Sequence, residues 1–385
     1  MARSVEQSCG PRILIVTGEA SGDLHGAHLA GALRSVRPDV RLSGMGGPKM
    51  RAAGVELLLG IDRLDVVGMI GWTQLHAVLR TYLVLRRLFR RNRYEAVVFI
   101  DYPGLNLRLA RLARRAGHRV VYYISPQIWA WRPGRIRLIA GVVDRMLVIL
   151  PFELQLYRRA GVPCEFVGHP LLDIVAPSYD RHELRKRFGC EGASRVLALL
   201  PGSRDHEVRA LLPDLLEAAA RLRADFPDLH VLIAQASSIP DALIRELVAG
   251  SPMEPSIVHD QPNEVIAAAD VLLVASGTAT LQAALIGTPM VIVYKTSWFT
   301  YWLARRLIRI DWIGLANIVA QRQIVPELIQ QDATPARMAE EAARVLHDEA
   351  VAREVRAALA GVRQSLGQPG ASRRAAEAVL RECQA

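Results

Sequence analysis

Val196-Leu197-Ala198-Leu199-Leu200-Pro201-Gly202-Ser203-Arg204-Asp205-His206-Glu207 holds, in order, an apolar run, a tight turn and the opening of a helix. Val196–Leu200 does not alternate apolar with polar residues, so it fits a strand buried on both faces, as in a parallel sheet covered by helices. The unit repeats in both directions. Downstream the pattern predicts helix Glu207–Arg223, strand His230–Ala234, helix Asp241–Val248, strand Val271–Val274, helix Thr280–Ile286 and strand Met290–Tyr294. Upstream, strands Ile13–Val16, Arg41–Gly44, Ala96–Ile100, Val120–Ile124 and Met146–Ile149 alternate with helices Leu24–Val36, Gln74–Arg91, Leu105–Arg115 and Phe152–Arg159. The alternation pauses near Gly168–Leu172, and a polar, proline-containing linker, Ala176–Arg187, comes next. The expected fold class is α/β, with two Rossmann-like domains over residues 1–172 and 173–385. The second is expected to carry the Ala/Arg/Glu-rich helical stretch Pro335–Ala385.

Composition narrows the function classes. The chain has 385 residues, 51% hydrophobic and 22% charged, which excludes a disordered protein. Its formal net charge of +10 favours acidic partners such as phosphate-bearing substrates or anionic lipid. Arginine carries that charge, the lysines being Lys49, Lys186 and Lys295. Cys9, Cys164, Cys190 and Cys383 form no Cys-x-x-Cys pair and no metal-ligand spacing, which fits reduced thiols in the cytoplasm. Val265–Tyr294, whose only formal charge is Asp270, is long enough to span a bilayer, but Gly277, Gly287 and Pro289 punctuate it as a buried strand-helix-strand unit.

In open α/β sheets ligands bind beyond the carboxyl ends of the strands, so the residues just after each strand are the candidates. Thr17-Gly18-Glu19-Ala20-Ser21-Gly22-Asp23 succeeds the first strand, and Gly18, Ser21 and Gly22 suit backbone approach to an oxygen-rich ligand or simply a tight turn. The segment lacks both Gly-x-Gly-x-x-Gly spacing and a Walker lysine. Asp101, after the strand Ala96–Ile100, is placed either as a general base or as a helix cap. Ser125-Pro126-Gln127-Ile128-Trp129-Ala130-Trp131-Arg132 offers two tryptophans as an apolar wall for substrate or as core packing. Gly202, Ser203 and Arg204 suit a diphosphate: close backbone approach plus a bidentate guanidinium. Ser276, Gly277, Thr278, Ala279 and Thr280, opening another helix with Gln282, make a second anion grip. Two such grips in the second block point to a nucleoside-diphosphate donor held there. No Asp-x-Asp is present, so no metal is expected to bridge the diphosphate, and no cofactor is expected. Asp205-His206-Glu207 reads as acidic residues favoured at a helix N-terminus more than as a metal site.

Arg80, Arg86, Arg87, Arg90, Arg91 and Arg93 stud the helix Gln74–Arg91 and its end beside Trp72, Leu75, Leu79, Tyr82 and Leu83. Trp298-Phe299-Thr300-Tyr301-Trp302 precedes Arg305, Arg306 and Arg309. Basic amphipathic segments beside aromatics suit an anionic membrane surface. Nucleic acid is not expected, since no nucleic-acid module accompanies the charge.

The ordered set Gly18-Glu19-Ala20-Ser21-Gly22-Asp23, Ile100-Asp101-Tyr102-Pro103, Ser125–Arg132, Leu150-Pro151-Phe152-Glu153, Val167-Gly168-His169-Pro170, Leu200–Arg204, Ser276–Leu281, Asn317 and Pro326–Gln330 resembles the lipid-A-disaccharide synthase family over nearly the whole chain. The resemblance implies a GT-B fold, two Rossmann-like domains whose parallel sheets face a central cleft. It implies an inverting, metal-independent transfer from UDP-2,3-diacylglucosamine to 2,3-diacylglucosamine 1-phosphate, at the cytoplasmic face of the inner membrane, and is compatible with a homo-oligomer. Asp101, Arg204 and Asn317 are the critical residues it implies, and His169 is expected to be structural. Two positions depart from the family pattern: Met69-Ile70-Gly71-Trp72, where a glutamate is usual after Val66-Val67-Gly68, and Gln282, where glutamate is usual. Two rival readings are a UDP-N-acetylglucosamine 2-epimerase-like isomerase and a UDP-sugar-binding relative without turnover.

Overall fold

The computed structural model describes residues 10–61, 72–131, 133–251, 253–297, 302, 306 and 310–384. Cys9, the segment 66–71 with Gly71, Arg132, residues 298–301, Arg305 and Arg309 lie outside the described residues. Two compact units divide the chain, one taking it up to Asp173 and again from Leu366, the other comprising Ile174–Ser365.

In the first unit the strands are β1 (Arg12–Val16), β2 (Arg41–Gly46), β3 (Glu56–Gly60), β4 (Ala96–Ile100), β5 (Arg119–Tyr123), β6 (Arg145–Val148) and β7 (Cys164–Phe166). They pair in the order β3-β2-β1-β4-β5-β6-β7, all parallel. Alternate residues of β1 serve opposite faces. Leu14 and Val16 pack with Val97, Phe99 and Tyr122. Ile13 and Ile15 pack with Val98, Val121 and Tyr123. A strand apolar on both faces needs helices on both, and the βα connections supply them.

The second unit repeats this plan with β8 (Arg195–Leu200), β9 (Leu229–Gln235), β10 (Ser256–His259), β11 (Val271–Ala275), β12 (Met290–Tyr294) and β13 (Glu327–Ile329). Its order is β10-β9-β8-β11-β12-β13, again parallel. The apolar stretch from Val265 resolves into the end of helix Pro262–Ala268, then β11, helix Thr278–Ile286 and β12. Among the described residues no helix is long and apolar enough to cross a membrane.

Three sequence expectations need correction. β3, β7, β10 and β13 are absent from the predicted strands, and all four are sheet edges. Their residues are mostly half-exposed, and their apolar runs are three residues or fewer, shorter than those of the interior strands β1, β4, β8 and β11. The expected linker Ala176–Arg187 is partly helical: Arg181–Arg187 is capped by Asp180, whose carboxylate accepts from Glu183 N at 3.0 Å. Arg181 and Arg185 then reach Asp270 at 2.5 and 2.7 Å, and Val196 N donates to the same carboxylate at 2.7 Å, tying this helix to the starts of β8 and β11.

The third correction concerns the expected second domain, 173–385. Its last helix, Ala371–Gln384, packs on the first sheet instead. Ala375, Ala376 and Val379 are fully buried there against Ile13, Ile15 and Val98. Asp173 caps the helix, accepting from Gly370 N, Ala371 N and Ser372 N at 2.5, 3.2 and 3.0 Å. Arg374 donates to Val167 O at 2.8 Å, and Arg145 pairs with Glu382 at 2.8 Å. His169 belongs to this closure. It is buried, its backbone N–H donates to Leu366 O, and its Nδ1 accepts from Leu171 N at 3.1 Å. Burial first, and His25 second, lower its pKa to about 3.

Removing residues 371–385 is therefore expected to raise amide exchange across β1, β4 and β5 while leaving β8, β9 and β11 protected, as read by hydrogen-exchange mass spectrometry. Loss of protection in the second sheet alone would return this helix to the second unit. Asp173→Ala is expected to cost about 1–2 kcal/mol of stability in a denaturant titration, the usual size of a lost N-cap.

Candidate active site

Each sheet reverses strand order once, at β1/β4 and at β8/β11, and helices leave the two strands of each pair toward opposite faces. The gap this opens at the carboxyl ends is where an α/β sheet takes a ligand. The sequence-predicted turns sit at these two places: 17–22 and Asp101 in the first unit, 201–204 and 276–280 in the second.

In the second unit this gap is a cavity of about 350 Å³. Gly202, Ser203, Arg204, Ser276, Gly277, Thr278, Ala279 and Gln282 line it, as expected from sequence. Glu207, read from the sequence as an acidic residue favoured at a helix start, lines it as well, as do Gln235 and Asp260, which no sequence motif singles out. Thr280 does not: it is buried, and its hydroxyl donates to Gly277 O at 2.8 Å to hold the start of the helix. Two helices, Asp205–Leu222 and Thr278–Ile286, begin at the cavity, so unpaired N–H groups and the positive ends of two macrodipoles meet there. An anion is the complementary ligand.

Gly202 has φ +115°, and an added Cβ would lie 2.6 Å from Glu207 Oε2. The positive φ favours glycine here, and a side chain would also have to displace the Glu207 carboxylate. Glu207 accepts from Ser203 N at 3.2 Å through Oε2 and from Arg204 at 2.8 Å through Oε1. Its carboxylate engages the groups a diphosphate would use. Gln282 donates through Nε2 to Asn263 Oδ1 at 2.8 Å, which leaves its Oε1 as an acceptor. Gln235 is buried; its Nε2 donates to Ile239 O and Asp241 Oδ1 at 2.9 and 2.8 Å, while its Oε1 has no protein partner among the described residues. Flipping this amide would set its oxygen against two acceptors, so the orphan oxygen is fixed and calls for a donor. The apolar run ends at Ala234, which hides Gln235 from a reading by composition; the rule of strand carboxyl ends, applied one residue later, finds it.

Asn317 lies outside this lining. It is fully buried, donates to Val325 O and Glu327 Oε1, and accepts from Ile324 N and Val325 N. Glu327 in turn accepts from Ile313 N and Gly314 N at 2.8 and 3.0 Å, and Ile313 O takes the Ser276 hydroxyl at 3.1 Å. Asn317 thus reaches the cavity wall through Glu327 and Ser276. Among the described residues no cluster of three His, Cys, Asp or Glu side chains could hold a metal ion.

Gly18, Ser21 and Gly22 belong to the first unit and line no part of this cavity. An added Cβ on Gly18 would lie 2.2 Å from the Tyr102 ring, so its glycine makes room for that ring. Ser21 donates to Glu19 Oε1 at 2.9 Å. Gly22 is buried against Thr17. Asp23 is spent on structure, accepting from Gly47 N, Lys49 N and Met50 N. Asp101 and Tyr102, at the end of β4, have φ +42° and +47°, and Asp101 O accepts from Tyr122 Oη at 2.7 Å and Asn106 Nδ2 at 2.8 Å. Its side-chain pKa is raised to about 7, mainly by burial and then by the Glu19 carboxylate, against a lowering hydrogen bond from the Tyr102 backbone. Asp101 is not the cap of the next helix, whose N-cap position is Tyr102. In the tryptophan loop, Trp129 Nε1 and Ser125 Oγ both donate to buried Glu153, at 3.0 and 2.6 Å, and Trp129 meets Phe152 edge-on. Trp131 is exposed.

The family pattern described as lipid-A-disaccharide synthetase matches residues 13–381. The chain belongs to that family. The lipid-A-disaccharide synthase of Geobacter sulfurreducens is 46% identical over 370 residues, covering 96% of each chain. That of Myxococcus xanthus is 44% identical over 371 residues, covering 96% of this chain and 97% of the relative. Membership makes the protein a glycosyltransferase of lipid A biosynthesis. Among solved structures, a calicheamicin glycosyltransferase aligns at TM-score 0.61 and 20% identity, covering 97% of this chain and 98% of the other. The UDP-GlcNAc 2-epimerase of Neisseria meningitidis aligns at TM-score 0.64 and 10% identity, covering 96% of this chain and all of the other. These likenesses show the GT-B fold, which the family shares with epimerases.

Glu207→Gln is expected to tighten UDP binding by roughly threefold to tenfold in isothermal titration, because a neutral amide competes less for Arg204 than a carboxylate does. Weaker binding would mean that Glu207 chiefly holds Arg204 in place.

Proposed function

We propose that the protein transfers the sugar of UDP-2,3-diacylglucosamine to the 6-hydroxyl of 2,3-diacylglucosamine 1-phosphate, giving a β-1,6 disaccharide 1-phosphate and UDP. The observation that carries the reading is the anion-complementary cavity at the β8/β11 reversal in a chain of this family. The UDP diphosphate lies against Ser203, Gly277 and the two helix N-termini, with Arg204 exchanging Glu207 for the phosphate oxygens. Gln282 Oε1 and Gln235 Oε1 accept from the hydroxyl or N–H donors of the nucleoside.

In the transfer, the acceptor O6 forms a bond to the donor anomeric carbon as the bond from that carbon to the diphosphate breaks. Charge grows on the departing diphosphate, where Arg204 and the helix N-termini offset it without metal. The O6 proton passes to Asp101. A carboxylate with a pKa of about 7 is half ionised at neutral pH, and its basicity is well matched to that task. Protonation also relieves its repulsion from Glu19. Asn317 acts as a positioning residue through Glu327 and Ser276.

Arg204→Ala is expected to lower kcat by roughly two to three orders of magnitude, by analogy with losing one oxyanion donor, in an assay of UDP release from the two lipid substrates. Asp101→Asn is expected to lose about 10²–10⁴-fold in rate while UDP affinity stays near wild type. The wild-type rate should rise with pH through about 7, since ionised Asp101 is the active form, and the Asn variant should lose that inflection. Normal turnover in Asp101→Asn would sink the base assignment.

The membrane association expected of such substrates rests on the helix Trp72–Arg91. Leu79 and Leu83, one turn apart, are 52% and 50% exposed, beside exposed Arg80, Arg86, Arg87 and Arg90. Opposite them Leu85 and Phe89 enter the core. Arginines over exposed leucines suit an anionic interface at the inner membrane's cytoplasmic side. Replacing Arg86, Arg87, Arg90 and Arg91 with Gln is expected to release the protein from anionic vesicles in a flotation assay, each arginine contributing on the order of 1 kcal/mol. Unchanged flotation would leave these arginines as a solvated face.

A further inference from the structure

A second cavity, of about 210 Å³, opens in the second unit and shares no lining residue with the first. Asp270 and Pro289, which line it, immediately precede β11 and β12, so it lies at the amino ends of the strands whose carboxyl ends form the donor cavity. A five-residue strand separates the two by roughly 17 Å.

Three arginines line this cavity: Arg181, Arg356 and Arg363. A fourth, Arg185, shares the Asp270 carboxylate with Arg181. Two helices, Pro262–Ala268 and Thr278–Ile286, end beside the cavity, and part of the guanidinium charge serves their carbonyls. Arg181 and Arg185 donate to Ala268 O at 3.4 and 3.0 Å, and Arg363 donates to Leu285 O. The remaining anions nearby are Glu349, which pairs with Arg356 at 2.9 Å, and Glu264, whose charge is felt at the lining residue Tyr179. Four guanidinium groups face Asp270, Glu349 and two helix ends of about half a charge each, which leaves roughly one positive charge uncompensated before the more remote Glu264 is counted. Arg356 and Arg363 each commit a single nitrogen to these protein acceptors. Burial pushes the Arg181 pKa down, Asp270 opposes this, and Arg185 and Arg356 add to it. Arg181 and Arg185 thus share the single Asp270 carboxylate, with Arg356 adding to their mutual repulsion.

We propose that this cavity is a second anion site, taking a phosphate monoester through Arg356 and Arg363, with Arg181 and the Asp270 carboxylate fixing its floor. Bidentate guanidinium bonds to phosphate oxygens match the free nitrogens. A volume of this size admits a phosphate group together with a small part of the ligand that carries it. The same chemistry serves a free phosphate metabolite or the headgroup of an acidic lipid.

The test uses the full chain with UDP added to saturation, so that the donor cavity does not report. Inorganic phosphate is titrated calorimetrically, and flotation on phosphatidic acid vesicles is compared with phosphatidylcholine vesicles. The expected result is phosphate binding weakened at least tenfold in R356Q/R363Q. S178E, which sets a carboxylate at an exposed lining position and breaks no guanidinium contact, should weaken it likewise. Vesicle binding lost in the same variants identifies a lipid headgroup as the source, whereas phosphate binding with unchanged flotation identifies a free phosphate. Both variants should keep the wild-type melting profile. No phosphate binding by the UDP-saturated wild type, or binding that S178E leaves intact, overturns the proposal.

Discussion

When two neighbouring parallel strands send their helices to opposite faces of a sheet, no connection covers the space between their carboxyl ends. The site depends on that gap. At the β8/β11 reversal it sets two helix N-termini side by side, and these supply fixed positive potential that costs no side-chain ordering when a diphosphate arrives. At the β1/β4 reversal the same geometry places Asp101 beside Glu19, and a carboxylate there is held out of water next to a like charge. One plan, used twice, makes a cavity complementary to an anion in one unit and a raised carboxylate pKa in the other. The difference lies in the residues at the strand's carboxyl end: glycine, serine and arginine in one case, aspartate in a left-handed conformation in the other.

The cavity is held in shape by carboxylates, which at first sight oppose its purpose. Glu207 holds Ser203 N and Arg204 at the cavity wall, and Glu327 braces the backbone at 313–314. Glu207 keeps the Ser203 N–H and the Arg204 guanidinium satisfied until a ligand takes its place. Glu327 anchors a chain of hydrogen bonds from Asn317 to the hydroxyl of Ser276. Preorganisation of this kind favours the transition state because no reorganisation remains to be done when charge develops.

The interior of both sheets was legible in the sequence because a strand apolar on both faces has few alternatives. The edges were not. Glu56–Gly60 and Ser256–His259 are half-exposed, and their pairing is decided by the neighbouring strand more than by their own composition. The turns after β8 and β11 were legible as the walls of a cavity, since glycine, small hydroxyls and arginine at a helix start have a direct physical meaning. Gln235 and Asp260 were hidden: one closes a strand a residue later than its apolar run, and the other comes after an edge strand. Thr280 and Asn317 show the opposite limit. Their chemistry suits a site, yet Thr280 is consumed by the carbonyl three residues before it and Asn317 by the backbone of Ile324 and Val325 that the fold brings back to it. The destination of the last helix was equally hidden, because an alanine-rich face fits either sheet.

That last helix also sets an order of events in synthesis. The second unit is one continuous segment, so all its strands are available once Ser365 has left the ribosome. The first is interrupted: Ile13 and Ile15 are made early, but part of their cover, Ala375 and Val379, is made at the far end. Until then that face is covered by helix Ala20–Val36, through Leu29 and Leu33, and the part of it that Ala375, Ala376 and Val379 fill stays open. The earlier-made unit is thus the later to finish, and its nascent form is the species most exposed to misassociation and most in need of chaperone cover.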